Sequence, residues 1–279
     1  MNISGMIDAI VREADNNIPQ NEGDYIEDGL LHCGKCHTKK QTRVNIGGEI
    51  ITPKCLCKCE SERFERERAE QKKKQLMEER DRMRSTGFPD SEMRNWIFER
   101  DDGANPDASS VCKKYVEHFD EMRKRGKGII FYGPVGTGKT FLASCIANAL
   151  IDRNIPCLVT NFSRMTNTLF GLRDGRQDYI DDLNKFQLLV IDDLASERDT
   201  EYMGEIIFNI IDSRYRSGLP LIVTTNLTAD ELKHPAEIRK QRIFSRLFEM
   251  CFAVEVKGRD RRKQKMIADY NELEGLLGL

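Results

Sequence analysis

GIIFYGPVGTGKTFLASCIANAL, residues 128–150, decides the fold. An apolar run of strand type, Gly128 to Tyr132, ends in a glycine-rich turn that opens directly into a helical pattern. Gly133, Gly138, Lys139 and Thr140 occupy the fixed positions of the phosphate-loop pattern G-x-x-x-x-G-K-[ST], and Gly136 adds a third glycine. The glycines let the backbone wrap closely around phosphate oxygens, and the helix N-terminus adds positive partial charge. Lys139 is placed to reach the β and γ phosphates and Thr140 to offer its hydroxyl to Mg2+. Pro134, Val135, Thr137 and Phe141 complete the stretch expected to contact the nucleotide. The spacing and the strand-to-helix setting predict an ATP-type triphosphate site.

Further apolar runs follow at CLVTN (157–161), LLVID (188–192), LIVTT (221–225) and FAVEV (252–256). Between them lie FLASCIANALIDR, SRMTNTLFGLRD, TEYMGEIIFNIIDSRYRSG and EIRKQRIFSRLFEM, which carry helical spacing. Strands apolar on both faces, alternating with helices, predict an α/β fold with a five-stranded parallel sheet between helices. Gly87-Phe88-Pro89 marks a turn, and NWIFERDDGANPD reads as a loop before one helix running through Lys124. No internal repeat is visible. In such sheets ligands bind at the carboxyl ends of the strands. Asp192 there is expected to hold Mg2+ through water and Asp193 to polarise the attacking water. Asn226, after LIVTT, can share that water if its strand lies beside LLVIDD.

The chain has 279 residues, with 44 Lys and Arg against 46 Asp and Glu. A net charge of −2 excludes a globally basic nucleic-acid coat, so any such surface is local. No apolar run approaches the ~18–20 residues of a membrane span, and MNISGMIDAIVREADNN reads as a short amphipathic helix rather than a signal peptide. A cytoplasmic protein is expected. Its nine cysteines include five between Cys33 and Cys59; the scattered four read as core residues.

Cys33-Gly-Lys-Cys36 is a C-x-x-C knuckle, followed by Cys55-Leu-Cys57-Lys-Cys59. Four thiolates in tetrahedral geometry make a structural Zn2+ site. Cys33, Cys36, Cys57 and Cys59 are the preferred set, with Cys55 able to replace either of the last two. Residues 60–84 hold 8 acidic and 9 basic side chains, the composition of a solvated helix. The predicted organisation is a zinc-bearing N-terminal region over 1–59, a charged helical linker over 60–86 and an ATPase domain over 87–279.

GPVGTGKT, LLVIDD and VTTN, in this order and spacing, resemble the AAA+ ATPases. More narrowly, they are similar to the DnaC-like helicase loaders and the IstB-type transposition ATPases. RIFSRL (242–247) and GRDRR (258–262) extend the resemblance over roughly residues 87–270. It implies that Arg246 is an arginine finger reaching a neighbouring subunit's γ-phosphate. It also implies that one arginine of GRDRR is a sensor of the subunit's own nucleotide: Arg262 first, with Arg259 and Arg261 as alternatives. Implied partners are a replicative DnaB-type helicase gripped by the N-terminal region, single-stranded DNA, and further copies of the ATPase domain. The alternative is an ATPase that assembles on duplex DNA and regulates transposition. Where many AAA+ enzymes have Asp-Glu, this chain has Asp192-Asp193, and the shorter second carboxylate predicts slow hydrolysis that DNA or a partner stimulates.

Residues 239–265 carry ten Lys and Arg against three acids, a local excess suited to a DNA backbone. Arg164, Arg173 and Arg176 offer a second such surface, with Phe162, Phe170 and Tyr179 as possible stacking rings.

Overall fold

The structure, a computed structural model, describes residues 21–172, 174–194 and 201–277. The amphipathic helix expected over the first seventeen residues lies outside them. The chain divides into two compact units meeting after Met77, and each is described by itself.

The first unit is built from tight turns rather than from a large apolar core. Strands β1 (Tyr25–Glu27) and β2 (Leu30–His32) form one antiparallel hairpin, and β3 (Val44–Ile46) and β4 (Glu49–Ile51) form another. Each tip uses positive φ, at Asp28 and Gly29 in the first and at Gly47 and Gly48 in the second. Lys40 is buried and its ammonium lies 2.6 Å from the equally buried Asp24 carboxylate. That carboxylate also accepts from the Gly34 amide at 3.1 Å. Lys40 and the amides of Asn21 and Gly34 hold Asp24 down at about 2. Helix α1 (Lys58–Gly87) begins in this unit and carries the charged stretch, almost all of it exposed.

The second unit holds the sheet. Its strands are β5 (Gly128–Tyr132), β6 (Cys157–Asn161), β7 (Leu188–Asp192), β8 (Leu221–Thr225) and β9 (Cys251–Glu255). All pair in parallel, in the order β6-β7-β8-β5-β9. The expected five-stranded parallel sheet is present, with β9 starting one residue earlier than FAVEV suggested. Alternate residues feed opposite faces. Ile130, Leu189, Ile191 and Val223 enter one core, and Ile129, Phe131, Val190 and Ile222 the other. That double burial makes every central strand read as unbroken apolar sequence.

Helices α2 (Pro106–Glu117) and α3 (Phe119–Lys124) replace the single helix expected through Lys124. The break falls at His118, whose φ of −98° and ψ of 21° leave the helical region, and the next residue, Phe119, is fully buried. Helix α4 (Lys139–Asp152) packs on the same side. The last turns of α1 belong to this unit: Met83 packs on its core, Arg80 Nε donates to Asn154 at 3.0 Å, and Arg84 pairs with Asp152. The opposite face carries α5 (Phe162–Gly171), α6 (Arg176–Leu183), α7 (Glu201–Ser217) and α9 (Ile238–Met250). Short α8 (Ala229–Lys233) starts with a complete capping box from Thr228 and Glu231. Helix α10 (Arg261–Leu277) follows β9.

Arg214 of α7 is 1% exposed and donates to the carbonyls of Leu183, Phe186, Gln187 and Pro220. Burial pulls its pKa down to about 10. These carbonyls sit where the chain enters β7 and β8, so one side chain satisfies the turns that align both strands. Replacing it orphans several buried acceptors at once. Arg214→Met is expected to lower unfolding stability by about 3–5 kcal/mol, read from urea melts.

Candidate functional site

The phosphate loop is shaped by its glycines. Gly133, Gly136 and Gly138 have φ of +132°, +77° and +101°, a region that disfavours side chains. Gly138 is the N-cap of α4, and no side chain caps that helix. Its first amides are therefore left for an anion. Lys139 is 5% exposed, and its ammonium donates to Gly133 O (2.9 Å), Pro134 O (2.7 Å) and Asn226 Oδ1 (2.8 Å). Burial lowers its pKa, against the pull of Asp193 and Asp192. Its hydrogen-bond acceptors among the described residues are all neutral oxygens, and a phosphate oxygen is a stronger acceptor than any of them. Thr137 is buried, with its hydroxyl on Pro134 O at 3.0 Å. Val135 is exposed, and Phe141 packs against Trp96 with ring centroids 6.1 Å apart.

The carboxyl ends of β5, β7 and β8 face this loop. Asp192 Oδ1 accepts from Thr140 Oγ1 at 2.8 Å and from Thr224 Oγ1 at 2.6 Å. Burial raises the Asp192 pKa and neighbouring Asp193 adds to it, while the two hydroxyls oppose the shift. The Asp193 amide donates to Thr224 Oγ1 at 2.9 Å, and Asn226 Nδ2 lies 3.5 Å from the Asp193 carboxylate. Strand β8 does lie beside β7, the condition on which the reading of Asn226 depended. Thr224 is the residue that sequence reasoning passed over. The VTTN motif carried it, but only strand adjacency reveals its two bonds.

GRDRR also returns to the loop. The Arg261 amide donates to Gly136 O at 3.0 Å, and its guanidinium pairs with Asp102 at 3.2 Å. A Cβ placed on Gly138 would lie 3.0 Å from that guanidinium, and one on Gly136 would lie 2.0 Å from an Asp260 oxygen. Arg262 is exposed and close enough for its charge to act on Lys139. The structure brings both Arg261 and Arg262 to the loop. Arg246, on α9, bonds to Asp212 of α7 and to the Arg242 carbonyl of α9, and not to the phosphate loop.

In the first unit, the Sγ atoms of Cys33, Cys36, Cys57 and Cys59 all lie within 4.8 Å of one another. The closest pairs are 3.3 Å for Cys57 with Cys59 and 3.5 Å for Cys33 with Cys59. Tetrahedral zinc with Zn–S of about 2.3 Å needs sulfurs about 3.8 Å apart, so the four fit one ion. Cys55 stands outside the cluster with its thiol on Lys39 O. The amides of Cys36 and Lys35 lower the Cys33 pKa, and the Thr38 hydroxyl and Cys59 amide bring Cys36 down to about 5. Burial pushes Cys57 up. Close sulfurs therefore cannot all ionise unless a cation joins them. His32 bonds Leu30 O and stacks on Tyr25, and neither it nor His37 belongs to the cluster.

Two expectations for nucleic-acid contact change. Phe162 is 2% exposed in the apolar core and cannot stack on a base. Its place at the start of α5 turns it inward. Phe170 is exposed and Tyr179 half-buried, while Arg173 lies outside the described residues. Within 239–265, Lys240, Arg246 and Lys257 have acidic partners in Glu237, Asp212 and Glu255, which reduces the free charge.

The profile of the IstB-like ATP binding protein family matches residues 66–268. The replicative helicase loader DnaI of Bacillus subtilis (strain 168) is 26% identical over 160 residues, covering 53% of this chain and 51% of that protein. The replicative helicase loader DnaC of Escherichia coli (strain K12) is 33% identical over 129 residues, 45% and 51% of the two chains. A Mycobacterium tuberculosis (strain ATCC 25618 / H37Rv) protein described as an ATP-binding protein in an insertion sequence is 32% identical over 103 residues, 36% and 41%. The chain thus spans about half the length or less of these relatives. A DnaI crystal structure superimposes with a TM-score of 0.53 at 24% identity, covering 64% of this chain and 99% of that one. That likeness is one of fold.

Gly138→Ala places a Cβ at an unfavourable φ and against Arg261. ATP affinity should fall at least tenfold in calorimetry, with about 1–3 kcal/mol lost in thermal melts. Zinc content should stay at one per chain in Cys55→Ser and be lost in Cys36→Ser, measured with a chromogenic chelator after denaturation.

Proposed function

The chain belongs to the IstB-like ATP binding protein family, and we propose that within it the protein is an ATP-controlled loader placing a replicative hexameric helicase on single-stranded DNA. The observation that carries this reading is a four-cysteine module ahead of an ATPase fold whose sequence matches two replicative helicase loaders. Residues 1–59 grip the helicase, 60–86 link, and 87–279 bind and hydrolyse ATP in the cytoplasm. Zn2+ on Cys33, Cys36, Cys57 and Cys59 supplies folding energy to a unit that buries few large apolar side chains.

In the ATPase domain the loop from Gly133 to Phe141 cradles the triphosphate, and Lys139 exchanges its neutral acceptors for phosphate oxygens. Thr140 and Asp192 are the pair placed to hold Mg2+, which would neutralise charge building on the phosphates. Thr224 keeps Asp192 aimed at that position. Asp193 and Asn226 orient the attacking water, and Arg262, with Arg261 as the alternative, senses the nucleotide from its own subunit. Arg246 of an adjoining copy completes the site, since a guanidinium stabilises the charge of the transferring phosphoryl group. Hydrolysis is slow without DNA or a partner, because Asp193 is a methylene shorter than a glutamate.

A second reading is an ATPase that assembles on duplex DNA and directs a transposase. The insertion-sequence relative and the family match favour it. Pull-down with the hexameric replicative helicase separates the two: capture supports loading, whereas ATP-dependent coating of duplex DNA without helicase capture supports the alternative. Asp193→Ala should bind ATP with unchanged affinity and hydrolyse it at least a hundredfold more slowly in a phosphate-release assay.

A further inference from the structure

Arg246 stands in a cluster that the phosphate site does not explain. Its Nε donates to Asp212 Oδ1 at 2.7 Å, and Nη1 reaches Arg242 O at 3.3 Å. The guanidinium lies 4.6 Å from the centre of the Phe208 ring and 5.9 Å from that of Tyr215. Arg242 shares the Phe208 ring at 4.4 Å. Asp212 is only 7% exposed, and its other oxygen pairs with Arg216.

A long, flexible arginine on a helix surface samples many rotamers, and ordering it costs entropy. Here that ordering is done in advance. Asp212 takes the inner edge of the guanidinium through Nε, and Phe208 fixes the plane of the fork. Nη2 makes no hydrogen bond among the described residues. Asp212 pairs with two arginines, Arg216 and Arg246, and Arg242 lies over the same Phe208 ring, so three guanidinium charges around one carboxylate leave the patch positive for a polyanion.

We infer that Asp212 is a positioning residue for Arg246, holding its guanidinium ready for the triphosphate bound by a second copy of this chain. The inference rests on the proposed reading of Arg246 as the residue that acts across the subunit boundary. Asp212 touches no substrate. It acts by keeping the approach of Arg246 narrow, and misplacement by about 1 Å costs on the order of a hundredfold in rate.

Complementation between full-length variants tests it. Arg246→Ala keeps its own nucleotide site but gives nothing to a neighbour, while Lys139→Ala lacks the site but carries Arg246. Their mixture should regain an ATP hydrolysis that neither shows alone; if Arg246→Ala alone hydrolyses ATP like the unmodified chain, or if the mixture stays inactive, the reading of Arg246 itself falls. With complementation established, Lys139→Ala carrying Asp212→Asn should restore at least tenfold less kcat, with KM within about twofold. Lys139→Ala carrying Asp212→Glu, charged but longer, should restore an intermediate rate. Folding is checked separately in Asp212→Asn and Asp212→Glu with Lys139 intact, through fluorescent-nucleotide affinity equal to that of the unmodified chain. If either folded variant donates as well as the original Asp212, the inference is overturned. A rate increase would also overturn it, because Asp212 would then be restraining Arg246.

Discussion

One carboxylate oxygen ties the ATPase site together. Asp192 Oδ1 takes hydrogen bonds from Thr140, on the helix that opens the phosphate loop, and from Thr224, at the end of the adjacent strand. Both bonds require β8 to lie between β5 and β7, so the strand order of the sheet is written into the chemistry of the site. Thr224 then passes the constraint on through its bond to the Asp193 amide. A slip of one residue in β7 or β8 would face these groups the wrong way. Arg214 guards against that slip by binding the carbonyls at the entrances to both strands.

Much of this was legible in the sequence because central strands buried on both faces leave continuous apolar runs. Four of the five sheet strands fall on the residues expected, and the glycines of the phosphate loop take the backbone angles their positions imply. The break at His118 was not legible, since the helical spacing continues through it and only the burial of Phe119 against the sheet bends the chain. Nor were Thr224 and Asp260. Each gains meaning from a neighbour dozens of residues away, and in isolation reads as strand-end or helix-surface polarity. Phe162 shows the opposite error. An aromatic beside an arginine suggests a stacking surface, but the start of α5 delivers it to the core.

The cysteine unit follows a different logic. Five cysteines stand within 27 residues, and spacing alone leaves open whether Cys55 takes the place of Cys57 or of Cys59. Geometry sets Cys55 apart, because its thiol is drawn to a backbone carbonyl while the other four sulfurs converge. In the same unit, Lys40 and Asp24 form a buried ion pair. Removing either partner would strand a charge in the interior.

Asp193 has a left-handed backbone, with φ of +55°. Among residues with side chains, aspartate and asparagine tolerate that conformation best, because their short polar arms bond locally. The departure from Asp-Glu is therefore more than a shortened reach. A glutamate at 193 would regain a methylene and at the same stroke meet a torsional penalty at the end of β7. A shortened reach and a comfortable main chain are, in this protein, two faces of the same residue choice, so a longer carboxylate at this position requires that the bend carrying it first be reshaped.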